Sequence, residues 1–206
     1  MESDLIVLVP DKNTQYALQG GLHRPQAMGI RPLTVEFLMH SGRDGGVRTT
    51  GPELLRLERR SFRHAILMFD HEGSGADAQS VAALELELDQ RLRKDWGEDA
   101  KAIVIQPEVD IWMWGAENVL REVCNWQDGP GPREWLISNG FVFSEKHKPA
   151  RPKEALQAVC RQARIPRSSA LYEQLAGRLS LERCTDPAYL RLRAQLRAWF
   201  SLSQPY

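Results

Sequence analysis

The chain has little cysteine: Cys124, Cys160 and Cys184 are the three in 206 residues, widely spaced and without a C-x-x-C pair. That spacing excludes a disulfide framework and gives no zinc knuckle, so reduced thiols in a cytosolic protein are expected. Long apolar runs are also missing, and nothing approaches the ~20 residues a membrane span requires. The opening "MESDLIVLVPDKN" has acidic residues ahead of a short apolar run and Pro-Asp behind it, the wrong flanks for a secretory signal. A soluble, cytoplasmic protein with no membrane partner is the expectation. There is no internal repeat and no low-complexity tract, and 206 residues suffice for one sizeable domain or a domain with a smaller appendage.

Net charge is absent as well, with 27 Lys and Arg against 27 Asp and Glu, but the balance is local rather than uniform. Residues 146–206 hold 12 basic against 4 acidic side chains, a net +8, which leaves 15 against 23, a net −8, for residues 1–145. Such a split is either the solvated faces of helices or a nucleic-acid-facing surface beside an acidic metal site.

What the chain does contain is alternation. "DLIVLVP", "PLTVEFLMH", "HAILMF" and "AKAIVIQP" are short apolar, β-branched runs that suit strands. Between them lie "KNTQYALQGGLHRPQAMG", a helix weakened by Gly20-Gly21 and followed by a loop, then "PELLRLERRSF", with Pro at a helix's first turn, and "GADAQSVAALELELDQRLRKDWG", a long helix closed by Gly97. "SGRDGGVRTTG", Ser41 to Gly51, lacks the Lys-Ser/Thr ending of a P-loop and reads as a mobile loop. The pattern predicts an α/β domain over residues 1–115, a largely parallel four-stranded sheet flanked by helices, whose ligands lie beyond the strands' carboxyl ends. Past Pro107 the strands stop. "EVDIWMWGAENVLREV", "PREWLISNG", "PKEALQAVCRQARI", "SSALYEQLAGRLS" and "DPAYLRLRAQLRAWF" read as helices, so residues 116–206 are expected as a helical layer packed on that domain.

In a parallel sheet the residues just past each strand share one edge. Here they are Asp11 after the first strand, Asp70 and Glu72 after the third, and Glu108 and Asp110 after the fourth. Gathered carboxylates raise one another's pKa and cost stability unless a counter-charge joins them, and Mg²⁺ or Mn²⁺ is a natural one, being a hard cation that takes oxygen ligands. Any one of these residues alone could be a helix cap or turn residue; acidic residues at three strand ends favour a metal edge. In an extended chain Asp70 and Glu72 point the same way and His71 points away, as a solvent-facing linker rather than a base.

An apolar strand running into an acidic residue, a Thr and a helix ("LIVLVPDKNT"), followed by a later strand ending in an acidic pair ("ILMFDHEG"), resembles the Toprim fold of topoisomerase-primase proteins and of the overcoming-lysogenization-defect nucleases. "IQPEVDIWMWG" is similar to a segment of small bacterial Toprim-like proteins and their RloB-type relatives of phage-defence loci. "RPKEAL" and "LSLERCTDPAYLRLRAQL" resemble those proteins' C-terminal segments, and the whole resembles a small component of methylation-associated phage-defence systems. The resemblance implies a metal site in which Asp11 stands where the family has Glu and Asp70 with Glu72 stands for an Asp-x-Asp pair, with Glu108 and Asp110 completing the edge. Asp11-Lys12 departs from the family's Glu-Gly, which shortens the carboxylate arm and favours metal binding over catalysis.

Two functions are therefore expected. One is a Mg²⁺-dependent nuclease or phosphoryl-transfer protein using Asp11, Asp70 and Glu72, with Lys12, Lys146, Lys148, Arg151, Lys153, Arg161, Arg164 and Arg167 meeting nucleic acid. The other is a non-catalytic adaptor for proteins of the same defence operon. Lys153 in the first turn of a helix, where the dipole disfavours it, answers either a phosphate, the acidic edge or a plain salt bridge. The six tryptophans read as core at helical spacing, with base stacking as the other use. His40, His64 and His147 have no partner evident in the sequence.

Overall fold

A computed structural model of the chain describes residues 3–127, 129–144, 148–180 and 184–202. Four strands, β1 (Ser3–Val9), β2 (Val35–Met39), β3 (Phe62–Asp70) and β4 (Ala100–Ile105), form a sheet in the order β2-β1-β3-β4 with every pairing parallel. The connecting helices are α1 (Lys12–Leu22), the one-turn α2 (Pro25–Met28), α3 (Arg43–Glu58) and α4 (Val81–Trp96). After β4 come a 3₁₀ turn (Val109–Trp114), α5 (Glu117–Val123), α6 (Pro132–Ser138), α7 (Pro152–Gln162), α8 (Ser169–Arg178) and α9 (Pro187–Phe200). The α/β class, the parallel sheet and the helical C-terminal layer are as the sequence predicts. The expected single helix after Pro107 is instead split, because the chain turns at Gly115 and Ala116 between the 3₁₀ segment and α5.

Strand side chains alternate faces, and both faces are buried. Leu5, Val7, Val9, Ile66, Met68, Ile103 and Ile105 meet α1 and the C-terminal helices, whereas Ile6, Leu8, Leu67, Phe69 and Val104 meet α3 and α4. The first core is continuous from the sheet to Leu192, Leu196 and Phe200 of α9. Trp96 and Trp112 belong to the interior, and Trp114, Trp126, Trp135 and Trp199 pack half-buried around it. None of the described helices is long and apolar enough to cross a membrane.

Residues that look unfavourable locally are explained by packing. Gly20 sits where α1 crosses α8, and a Cβ there would lie 2.6 Å from the Glu173 carbonyl oxygen and 2.8 Å from the Gly177 nitrogen. The glycine that weakens α1 is what lets the two backbones touch. The stretch Ser41 to Gly51, expected as a mobile loop, is helical from Arg43 onward. Gly51 lies against the sheet, where a Cβ would approach Leu67 Cδ1 and Leu8 Cδ2 at 2.8 and 2.9 Å, so its lack of a side chain serves contact rather than flexibility. His40 holds the start of α3: its Nδ1 accepts from Gly42 N–H at 2.9 Å, leaving Nε2 to donate to Thr50 Oγ1 at 2.9 Å. Pro52 inside α3 cannot donate to the carbonyl four residues back. That carbonyl, of Arg48, accepts instead from Arg91 Nη1 at 3.0 Å, and Thr49 O accepts from Arg91 Nη2 at 2.6 Å.

The exposed rim of β4 is covered by carboxylates rather than by another strand. Glu85 Oε1 of α4 accepts from Val104 N–H at 2.8 Å and from Arg191 of α9, and Asp89 Oδ1 accepts from Ala102 N–H at 2.8 Å. Acidic residues on the inner face of an otherwise amphipathic helix thus satisfy an edge strand and block its pairing with another chain.

Candidate functional site

The parallel register levels the strand ends. Extending the Leu8–Leu67 pairing by three residues sets Asp11 beside Asp70, and Asp70 itself pairs with Ile105, just before Glu108. A cleft of about 530 Å³ opens at this edge, lined by Asp11, Asp44, Asp70, Glu72, Glu108 and Asp110 together with Lys153 and Arg167. All five carboxylates expected from the sequence lie on it. Asp44, at the start of α3, joins them; the acidic-residue-past-each-strand pattern extends to β2, but reading Ser41 to Gly51 as a loop hid it.

The carboxylates differ in what they touch. Asp11 caps α1, its Oδ1 accepting from Thr14 N–H at 2.9 Å and Thr14 Oγ1 at 3.2 Å. Asp44 Oδ1 accepts from Asp70 N–H at 2.9 Å, and Asp70 Oδ1 from Val109 N–H at 2.8 Å. Burial pushes Asp70 well above the usual carboxylate range, and the charges of Asp44, Asp110 and Glu108 push it further, against the Val109 N–H. Asp44 is raised by burial and by Asp11, partly offset by its bond from Asp70 and by Lys153. Glu72 is exposed, two residues beyond Asp70. His71 corrects the expected solvent-facing linker: it is buried, with Nε2 2.9 Å from the Gln79 carbonyl. A turn at Gly73 (φ 82) closed by Ser74 Oγ on His71 O at 2.7 Å directs it inward.

Glu108 and Asp110 each have a counter-charge. Glu108 accepts from Lys153 N–H at 3.1 Å and lies 3.4 Å from its Nζ, so Lys153 in the first turn of α7 answers the acidic edge. Burial and Asp110 raise Glu108, while Lys153 pulls it down. Burial depresses Lys153, but Glu108 and Asp110 outweigh it and the net shift is upward. Asp110, with 3% of its side chain exposed, holds Arg167 Nη2 at 2.9 and 3.2 Å and accepts from Tyr172 OH at 2.6 Å. Arg167 also lies over the Tyr172 ring, and its buried Nε has no hydrogen-bond partner among the described residues.

Can these residues take a divalent cation? Asp11, Asp44, Asp70 and Glu72 are hard oxygen donors without a basic side chain bonded to them among the described residues. The donor set therefore fits Mg²⁺ or Mn²⁺. Among the described residues no three His, Cys, Asp or Glu side chains already close on one point, so the carboxylates share a cleft without forming a finished cage.

The basic residues are divided by the fold. Lys153 and Arg167 line the cleft. Lys12 is exposed at the first position of α1. Arg151 is exposed and pairs with Glu154 at 2.9 Å, and Lys148 is drawn in against the buried Asp186 at 3.4 Å. Arg161 and Arg164 are exposed at the far end of α7. Lys146 and His147 lie outside the described residues. His64 stacks on Trp199 at 4.5 Å, and its buried Nδ1 lies 3.4 Å from Asp99 without forming a hydrogen bond among the described residues.

Among solved structures, the C-terminal region of the Burkholderia pseudomallei OLD protein is similar to this chain, with a TM-score of 0.54 over 96% of this chain and 98% of that one, at 14% identity. That likeness establishes a distantly OLD-like fold. No protein-family model matches the chain, and no curated protein matches it.

Proposed function

We propose that the chain is a Toprim-like, Mg²⁺- or Mn²⁺-dependent nuclease that hydrolyses phosphodiesters of nucleic acid in the bacterial cytoplasm, as part of defence against phage. The observation that carries this reading is the set of carboxylates from all four strand ends lining one cleft with Lys153 and Arg167. The OLD-like fold supports it; the RloB-type placement rests on the "IQPEVDIWMWG" and "RPKEAL" resemblance, and the methylation-associated one on the resemblance of the chain as a whole.

In this reading Asp11, Asp70 and Glu72 would hold the cation, which would supply charge to offset that developing on the phosphate oxygens. Lys153 and the Arg167 guanidinium, which line the cleft, bind the scissile phosphate, and Asp110 and the Tyr172 ring orient the guanidinium. Asp11 spends Oδ1 on the α1 cap and keeps Oδ2 to bind the cation or to accept the attacking water's proton. Water adds to phosphorus as one of its protons passes to Asp11 Oδ2, the bridging P–O bond breaks, and the departing oxygen takes up a proton from solvent while Asp11 later returns its own to solvent. The occupation of Glu108 and Asp110 by cations favours a second reading, a non-catalytic adaptor for partner proteins of a defence operon. Incubating the chain with single- and double-stranded DNA, RNA and transfer RNA, with Mg²⁺ or Mn²⁺, separates the two. Cleavage lost in Asp70→Asn supports the nuclease, and cleavage of nothing by the wild type supports the adaptor.

A further inference from the structure

A second cavity, of about 420 Å³, lies where the ends of α5 and α7 meet α6, and its walls include Trp126, Trp135, Asn125, Gln127, Gln162 and Arg164. Its volume falls in the range of roughly 300–1,000 Å³ common for small-molecule sites. Two indoles meet here at a centroid distance of 5.4 Å and 66° between planes, and both remain half-buried. Trp126 Nε1 donates to Pro130 O at 3.0 Å, which fixes the ring. Beside the indoles stand one guanidinium and the Gln162 amide, which makes no hydrogen bond among the described residues.

The backbone adds an independent observation. Arg164 has φ 56 just past α7, and Ile165 N–H donates to Cys160 O at 3.0 Å, the closure that normally places glycine at this position. An arginine here costs strain that glycine would avoid. Retaining it puts a cation at the rim of an indole-lined cavity. α7 also links the two sites: Lys153 in its first turn faces the acidic cleft, and Gln162 at its last residue faces the indoles. Nine residues at ~1.5 Å each set Lys153 and Gln162 about 14 Å apart along the axis, and two and a half turns place them on opposite faces, so a strand joining the two sites passes around α7.

We propose that this cavity is a stacking pocket for one unpaired nucleobase, so that a single strand passing around α7 places a base against the Trp126–Trp135 pair and Arg164 while its backbone continues toward the cleft. Aromatic faces stack on any base, and a guanidinium adds cation–π and phosphate attraction. The inference rests on the nuclease reading for its substrate class, but base stacking is measurable without cleavage.

The test uses the full chain, without divalent cation, and single-stranded DNA and RNA oligomers of one sequence carrying a single 2-aminopurine, beside a series in which one nucleotide is abasic. Stacking should quench the 2-aminopurine. Trp126→Ala should abolish the quench and weaken binding about 5- to 150-fold, the range for one stacked base. Arg164→Gly places glycine where the backbone favours it and so keeps the fold; it should weaken binding about 2- to 30-fold and lower the log–log salt slope by about one unit. Comparing the DNA and RNA arms identifies which strand binds better. Equal affinity for intact and abasic oligomers, or unchanged binding by Arg164→Gly, overturns the pocket, as does no binding of any oligomer at low salt. Cleavage that persists while those variants have no effect leaves the nuclease reading standing alone. A base-dependent quench without cleavage leaves the pocket standing and removes the nuclease.

Discussion

Removing the guanidinium of Arg167 should cost far more stability than removing a surface charge. Asp110 keeps 3% of its side chain exposed and is held by Arg167 at 2.9 and 3.2 Å and by Tyr172 OH at 2.6 Å. In Arg167→Ala the carboxylate stays buried beside Asp70 and Glu108 with its main counter-charge gone, and breaking a buried pair in this way costs about 3–5 kcal/mol. With a urea m-value of ~2 kcal/mol/M, the unfolding midpoint should fall by about 1.5–2.5 M. Tyr172→Phe removes one hydrogen bond to a charged acceptor and should cost about 1.5–3 kcal/mol. Because the strain in Arg167→Ala comes from the orphaned carboxylate, adding Asp110→Ala should recover part of the loss, with a coupling of about 0.5–3 kcal/mol in the cycle. Equilibrium urea unfolding of wild type, Arg167→Ala, Asp110→Ala, the double variant and Tyr172→Phe measures all of this. A loss below ~1 kcal/mol in Arg167→Ala, as exposed pairs show, would refute the argument and return Asp110 to the set of carboxylates open to a cation.

Asp70→Asn should melt at a higher temperature than wild type in the presence of a chelator, because one member of a repulsive cluster becomes neutral; added Mg²⁺ should then raise the wild-type melting temperature and leave the variant unmoved. Asp4, held down to about 2 mainly by its bond to Arg31 at 2.5 Å, has a folded pKa below its unfolded one. Its contribution of about 2 kcal/mol is present above the unfolded value and lost as pH falls through the folded one, so Asp4→Asn should flatten the acid limb of a pH–stability curve. Gly20→Ala would set a methyl against the Glu173 carbonyl and Gly177 nitrogen, both backbone, and should destabilise by about 1–3 kcal/mol in thermal melts despite alanine's better helix propensity.

The parts of the fold visible in the sequence are those where a local pattern and the tertiary environment agree. "HAILMFD" is apolar throughout because β3 is covered on both faces, and a short run bounded by turn signals says as much without coordinates. The first half of α3 is the opposite case. Its glycines and polar residues give no helical signal, and it is held by contacts distant in sequence: Gly51 under Leu8 and Leu67, and the Pro52 gap filled by Arg91 of α4. Misreading that segment as a loop also concealed Asp44, whose carboxylate reaches Asp70 only because α3 begins at Arg43.

The question of why an apolar strand should run into Asp70 and Glu72 has a physical answer at the same level. A parallel sheet gathers its strand ends, so a residue there cannot be solvated independently of its neighbours. Two routes relieve the resulting repulsion. Glu108 and Asp110 take the first, importing Lys153 and Arg167 from the C-terminal layer, at separations of 45 and 57 residues that no local pattern encodes. Asp11, Asp44, Asp70 and Glu72 have no such cation among the described residues, and at Asp70 burial first and its acidic neighbours second raise the carboxyl well above its usual range. A fold selected only for stability would gain by replacing Asp70 with an amide that still accepts from Val109 N–H. In a cleft whose other half is already neutralised, these carboxylates are where the proposed cation would act, and the metal-dependent melting of Asp70→Asn is the measurement on which that proposal stands or falls.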